Sequence, residues 1–148
     1  MKSETTESVI VAERRVGFVD VTEHLQRAIK DSAVTEGCAV VYCRHTTCGL
    51  VINEWEDGAL EDVRAHLECL VPRNGYFRHD DLEVRTQNLQ PGERANGWSH
   101  VMQMVLGGTS HAIPVAAGEP LLGRWQRLIF VELDEPRERS VLFHVFGD

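Results

Sequence analysis

Three of the seven histidines stand where imidazole side chains can do chemistry. His45 begins the sequence His-Thr-Thr after an apolar run, His79 lies in a long polar segment, and His100 follows Asn96 by four residues, on the same side of a predicted helix. Neutral imidazole binds zinc and similar ions, and three protein ligands with one water form the usual catalytic zinc site. The spacings match neither HExxH nor a zinc finger. From the residues alone, a metal site and three unrelated polar histidines both stay open.

A second candidate is the acidic run from Asn53 to Asp57, placed where a predicted strand meets a predicted helix. Carboxylates such as Glu54 and Asp57 can bind a cation or act as a general base. The positive end of the helix would keep them ionised. Ordinary helix-start chemistry, with Asp57 as the cap, explains the same residues equally well.

Anion binding has a third set of candidates near the carboxyl end of the chain. Arg137 and Arg139 follow a run of acidic residues and could clamp an anion through paired hydrogen bonds, although an exposed turn explains them too. The chain contains no GxxxxGK[ST] phosphate loop, no GxSxG elbow and no GxGxxG fingerprint. The common nucleotide-binding and serine-hydrolase motifs are therefore excluded.

The composition predicts one globular domain over residues 1–148, with a formal net charge of −8 and 43% hydrophobic residues. No apolar run is long enough to span a bilayer, and no export signal is evident, so we expect a cytoplasmic protein without membrane contact. The acidic balance weighs against nucleic-acid binding. In that compartment thiols stay reduced, so the cysteines are predicted as buried thiols instead of disulfides or metal ligands.

Periodicity and turn residues predict the elements that position these side chains. Strands are predicted over residues 8–13, 16–21, 38–43, 49–53, 110–115, 125–133 and 140–146, with the strand over 49–53 as the neighbour of the strand over 38–43. Helices are predicted from Thr22, over 57–70 and after Asn96, each capped at its start by a polar side chain, with an irregular segment over 72–94. Strands in adjacent runs favour an α+β fold with a mixed or antiparallel sheet and about three helices.

Taken together, these motifs resemble those of the YjbQ family, from about Val16 to Gly147. The resemblance rests on His45-Thr46-Thr47, Asn53-Glu54, Asp57, Asn96 with His100, and a spaced carboxyl-terminal signature. That signature runs Ser110-x-x-Ile113-Pro114-Val115-x-x-Gly118, Leu122-Gly123-x-Trp125-Gln126, and Val131-Glu132-Leu133-Asp134-x-Pro136-Arg137-x-Arg139. One departure is Gly58, where the family commonly has proline.

The resemblance implies an α+β fold that assembles as a homotrimer and a cleft near the His-Thr-Thr motif. It implies that His45, His79 and His100 gather around a divalent metal, Zn or Mg, or around an anion. The apolar strand from Val141 to Phe146 also favours a covered sheet and hence subunit contact.

The activity that the resemblance implies is weak thiamine-phosphate synthesis, which joins a pyrimidine diphosphate to a thiazole phosphate and releases pyrophosphate. Under this hypothesis the catalytic residues are Glu54, Asp57 and His45. The residues that contact the phosphorylated ligand are Thr46, Thr47, Asn96 and Arg137. A non-catalytic trimer that binds a metal or small ligand and a metal-dependent hydrolase are the alternatives.

Overall fold

The computed structural model describes residues 1–148 and has the α+β fold that the sequence predicts, with two antiparallel sheets and three helices. The strands are β1 (Lys2–Ile10), β2 (Gly17–Asp20), β3 (Glu36–Cys43), β4 (Cys48–Glu54), β5 (Ser110–Ala116), β6 (Glu119–Pro120), β7 (Gln126–Glu132) and β8 (Arg139–Gly147). The helices are α1 (Thr22–Ser32), α2 (Asp57–Leu70) and α3 (Gly97–Leu106), with a 3₁₀ turn at Arg78–Asp80. One sheet has the order β1-β8-β3-β5-β6 and the other β2-β7-β4.

The three-stranded sheet lies in the middle of the fold, because both of its faces are covered. Leu128 and Phe130 of β7 belong to a core shared with the five-stranded sheet and α1. Ile129 and Val131 point to the opposite face, in a second core with α2 and α3. Burial on both faces explains why β7 is apolar at successive positions, whereas a half-exposed strand would alternate.

Helix α1 buries the whole apolar stripe that its spacing predicts, whereas α2 and α3 bury only part of theirs, because Leu70, Val101 and Val105 are exposed. Leu25 and Ile29 of α1 are fully buried in the first core. Leu67 of α2 and Met102 of α3 lie in the second core. None of the three helices is long and apolar enough to cross a lipid bilayer.

Three strand predictions are corrected by the structure. The first strand begins at Lys2, well before Ser8, because β1 pairs along the whole length of β8. β3 and β4 are close in the chain but belong to different sheets, so the prediction that they are neighbours is wrong. Both are short apolar runs, and such runs do not specify which sheet they join. The two-residue strand β6, which pairs with β5, was not predicted.

Two of the predicted helix caps are also corrected. The hydroxyl of Thr22 does not cap α1; it accepts a hydrogen bond from the backbone N–H of Leu128 at 2.9 Å. Instead, Asp20 Oδ1 accepts from the Thr22 N–H at 2.9 Å. At α2 the cap is Glu56, whose carboxylate accepts from the N–H groups of Gly58 and Ala59, whereas Asp57 was predicted.

The outer face of the five-stranded sheet is not covered by any other element of the chain. Its residues form cross-strand rows, such as Leu142 beside Tyr42 and Phe146 beside Cys38. These side chains are exposed or only partly buried, although most are apolar. An open apolar sheet face of this kind is typical of a surface that contacts another protein.

Candidate functional site

The principal pocket has a volume of about 1000 Å³ and lies between the β3–β4 loop, the 78–93 segment and the start of α3. Val84 is the only hydrophobic residue that lines it. The lining residues are Arg44, His45, Thr46, Thr47, Arg78, His79, Val84, Arg85, Thr86, Gln87, Asn88, Glu93, Asn96, His100, Arg137 and Arg139. This set is called the basic pocket below.

A buried ion pair anchors the first wall of the basic pocket. The Arg139 guanidinium donates to both carboxylate oxygens of Glu132, at 2.7 and 2.5 Å. It also donates to Thr47 Oγ1 at 3.0 Å, so the pair holds the His-Thr-Thr loop in place. Bidentate arginine–carboxylate pairs combine strength with fixed geometry.

His45 on the same wall is held in one tautomer. Its Nε2 accepts a hydrogen bond from the backbone N–H of Ser140 at 2.9 Å. A neutral imidazole with Nε2 as acceptor carries its hydrogen on Nδ1. Burial, together with the positive charge of Arg139, lowers the pKa of His45 and favours this neutral form.

Arg85 organises the second wall. Its guanidinium donates to Glu93 Oε1 at 2.7 Å and to the backbone carbonyls of His79, Gln87 and Asn88 at 3.2, 3.1 and 3.1 Å. The hydrogen bond from Arg85 lowers the pKa of Glu93 and keeps it ionised. The long segment that the sequence predicts as irregular is thus built around one charged side chain.

The third part of the pocket is the start of α3, where two imidazoles meet. The rings of His79 and His100 have their centroids 4.5 Å apart and are tilted by 40°. Burial lowers the pKa of His100, and any positive charge on the neighbouring His79 acts in the same direction. His100 is therefore a neutral imidazole at neutral pH, with no side-chain hydrogen bond within the chain.

Asn96 does not cap α3 through its side chain, contrary to the prediction. The cap comes from Asp80, whose Oδ1 accepts from the backbone N–H groups of Asn96 and Gly97 at 2.9 and 2.8 Å. Asn96 instead donates from Nδ2 to Asp134 Oδ2 at 3.2 Å. Its amide oxygen is buried without a hydrogen-bond partner. Asn96 thus links the start of α3 to the carboxylate that also pairs with Arg137.

Eight of the residues singled out in the sequence line the basic pocket together. They are His45, Thr46, Thr47, His79, Asn96, His100, Arg137 and Arg139. Five residues from two parts of the chain, the β3–β4 loop and the 78–93 segment, were missed: Arg44, Arg78, Asp80, Arg85 and Glu93. The run His-Asp-Asp at 79–81 was the one available signal for Asp80, because a carboxylate beside a histidine can orient it.

Glu54 and Asp57 do not line this pocket. Glu54 is the last residue of β4 and Asp57 is the first residue of α2, whereas the pocket lies near Cys48, the first residue of β4. Six residues of strand span roughly 20 Å. Asp57 instead lines a smaller cleft of about 590 Å³ beside Phe18 and Trp55. Within one chain, the predicted pairing of these carboxylates with the histidines is absent.

The residues present do not fit a three-histidine metal centre. No group of three or more His, Cys, Asp or Glu side chains is arranged to hold a metal ion. His45 uses Nε2 to accept from Ser140, and its Nδ1 carries the hydrogen, so its ring offers no free lone pair. The metal site stays a prediction.

Comparison with known proteins places the chain in a family. The family model described as "UPF0047 protein YjbQ-like" matches residues 6–148. The chain belongs to the YjbQ-like UPF0047 family. A UPF0047 protein from Archaeoglobus fulgidus is 37% identical over 129 residues, which cover 87% of this chain and 90% of the relative. A UPF0047 protein from Methanothermobacter thermautotrophicus is 33% identical and covers 99% of this chain and 94% of its own length.

Solved structures of YjbQ-like proteins share the fold. A hypothetical protein from Aeropyrum pernix is 32% identical with a TM-score of 0.84, covering 98% of this chain and 99% of its own. An uncharacterised YjbQ/UPF0047 protein from Clostridium acetobutylicum is 30% identical with a TM-score of 0.81, covering 95% and 99%. The family resemblance predicted from the motifs is therefore confirmed.

Proposed function

We propose that this YjbQ-like protein is a small-molecule enzyme that binds a phosphorylated substrate in the basic pocket. The observation that carries the proposal is the pocket lining, which has five arginines and three histidines but a single hydrophobic residue. Guanidinium groups match phosphate oxygens in geometry and charge. A lining this polar favours a highly charged ligand over the mostly apolar ligands that typical pockets bind.

The arginines are not equivalent, because most have a carboxylate partner. Arg139 pairs with Glu132 and Arg85 with Glu93, so these two are held in place as much as they attract anions. Arg78 has no carboxylate within salt-bridge distance, and its charge remains available to a ligand. We therefore assign Arg78 as the principal phosphate-binding arginine.

The reaction we propose to test first is thiamine-phosphate synthesis, which the family resemblance implies. In that reaction a carbon–nitrogen bond forms between the pyrimidine and the thiazole, and the carbon–oxygen bond to pyrophosphate breaks. Arginine side chains in the basic pocket would stabilise the negative charge that develops on the leaving pyrophosphate. A volume of about 1000 Å³ has room for two small phosphorylated heterocycles.

The same proposal includes a homotrimer in the cytoplasm. Its support is the uncovered apolar face of the five-stranded sheet, where Leu142 and Phe146 lie partly exposed. A second copy that covers this face would remove their apolar surface from water. The buried thiols of Cys43 and Cys48 suit a reducing compartment.

Calorimetric titration of pyrophosphate tests the binding proposal. We expect one site per chain in the wild type and an affinity roughly 10–100-fold lower in Arg78→Ala, because a charge-assisted hydrogen bond contributes about 1.5–3 kcal/mol. Arg27→Ala is the matched control, since Arg27 is an exposed arginine of α1 outside the pocket. Equal affinity in all three proteins would contradict the proposal.

Turnover then separates an enzyme from a binding protein. The wild type is incubated with the pyrimidine diphosphate and the thiazole phosphate, and thiamine phosphate is measured. We expect product from the wild type and none from a folded His100→Ala variant. Pyrophosphate binding without turnover would favour the non-catalytic alternative, and release of inorganic phosphate from either precursor alone would favour a hydrolase.

A further inference from the structure

The carboxylate of Asp80 lies directly behind the imidazole pair of the basic pocket. Its Oδ1 lies 3.0 Å from His79 Nδ1 and also accepts the two backbone N–H groups at the start of α3. An oxygen that already accepts from two backbone N–H groups acts as an acceptor toward the imidazole too, so Nδ1 of His79 must carry the hydrogen.

Close packing fixes this arrangement. A Cβ atom added at Gly97 would lie 3.0 Å from His79 Cβ and 3.2 Å from Asp80 Oδ1. The backbone of α3 therefore touches both residues with no room for a side chain between them. From the other side, Arg85 donates to the backbone carbonyl of His79 at 3.2 Å. His79 is thus held at its backbone, its Cβ and its Nδ1.

The remaining ring nitrogen, Nε2, lies on the pocket side. It is 3.8 Å from an oxygen of Glu93, another residue that lines the pocket. The ring packs at a tilt against the neutral imidazole of His100. A carboxylate that fixes one nitrogen of a histidine determines which tautomer the other nitrogen presents. The same logic positions the histidines of catalytic dyads and triads.

We propose that Asp80 is a positioning residue that holds His79 as the Nδ1–H tautomer, so that the lone pair of Nε2 accepts a proton from an O–H group of the phosphorylated ligand beside His100. The assignment of the ligand rests on the proposed function above. Asp80 itself acts through His79 and need not touch the ligand.

The tautomer can be read in the wild-type protein without any assay of activity. Long-range ¹H–¹⁵N correlation spectra at pH 7.5 distinguish a protonated Nδ1 from a protonated Nε2. We expect His79 to show the Nδ1–H pattern. His45, whose Nε2 accepts from the Ser140 N–H, should show the same pattern for an independent reason and provides the internal reference. A protonated Nε2 on neutral His79 would overturn the proposal.

Two variants separate positioning from helix capping. Asp80→Asn keeps an oxygen that can accept from His79 and from α3, and we expect the Nδ1–H tautomer to persist. Asp80→Ala removes that oxygen, and we expect His79 to shift to the Nε2–H tautomer, with His45 unchanged.

The outcomes also distinguish this proposal from the proposed function. If wild-type His79 is the Nδ1–H tautomer but pyrophosphate does not bind, the ligand assignment fails and the positioning role of Asp80 stands. If pyrophosphate binds but Asp80→Ala leaves the tautomer of His79 unchanged, the positioning role is wrong. Loss of thermal stability alone in Asp80→Ala, with the tautomer unchanged, would show that Asp80 only caps α3.

Discussion

Removal of the Arg139 guanidinium should destabilise the fold strongly and distort the first wall of the pocket. The side chains of Arg139 and Glu132 are 4% and 0% exposed, so Arg139→Ala leaves a buried carboxylate without its counter-charge. The loss of one partner from a buried ion pair costs about 3–5 kcal/mol. With a urea m-value of about 2 kcal/mol/M, the unfolding midpoint should fall by roughly 2 M.

Arg44→Ala provides the matched control for this prediction. Arg44 also pairs with a carboxylate in the same region, Glu7 at 3.0 Å, but the two side chains are 52% and 48% exposed. Exposed pairs contribute about 0–1 kcal/mol, so this variant should unfold near the wild-type midpoint. Equal losses in Arg44→Ala and Arg139→Ala would refute the argument from burial.

A pH series adds a second check on Arg139→Ala. The backbone N–H of Asp134 still donates to Glu132 Oε1 in the variant, but the positive charge is gone. We expect Glu132 to take up a proton as the pH falls toward 5, so the stability difference from the wild type should shrink. A difference that is constant between pH 8 and pH 5 would mean that the carboxylate is not the source of the loss.

Three further predictions follow from burial and packing. Burial lowers the pKa values of His45 and His100, so the unfolded chain binds more protons than the folded chain below pH 6.5. The stability of the fold should therefore decrease from pH 7 to pH 5, and thermal melts of His100→Gln should show a smaller decrease than those of the wild type. Gly97→Ala would place a Cβ 2.7 Å from Phe77 Cβ and should lower the free energy of unfolding, measured in urea, by about 1–3 kcal/mol. A decrease below roughly 0.5 kcal/mol would show that Gly97 is not packed this closely. Light scattering should give three times the 16.7 kDa chain mass, and Phe146→Glu should give monomers; a wild-type monomer at micromolar concentration would refute the trimer.

Local periodicity predicted most helices and strands because each signal lies within one element. The helix over Asp57–Leu70 matches its prediction at both ends, since Leu60, Val63, Leu67 and Leu70 mark one face and Pro72 ends the helix, although Leu70 itself is exposed. The pairing of strands is not local. β3 and β4 look alike as apolar runs, and their assignment to two sheets depends on residues more than 60 positions away, in β5 and β7.

The residues of the candidate site show the same difference between local signals and non-local contacts. Histidine and threonine residues stand out by type and by motif, so His45, His79 and His100 were recognised before their positions in space were known. Arginines such as Arg85 are common on surfaces and carry no such signal; its role depends on how the 78–93 segment folds around it. Glu54 stands out by its motif but lies at the end of β4 away from the basic pocket, because a motif match does not specify which end of a strand faces the pocket.

Sulfate binding at two pH values tests the central claim, an anion site formed by arginines and histidines, most directly. Sulfate keeps its double charge between pH 8 and pH 5.5, so any change in affinity reports on the protein. We predict one site per chain that tightens at pH 5.5, because an anion beside His100 favours the protonated imidazole. A metal-centred site would weaken instead, because imidazoles must be neutral to bind a metal. Sulfate binding that is absent, or that weakens at pH 5.5, would contradict the account.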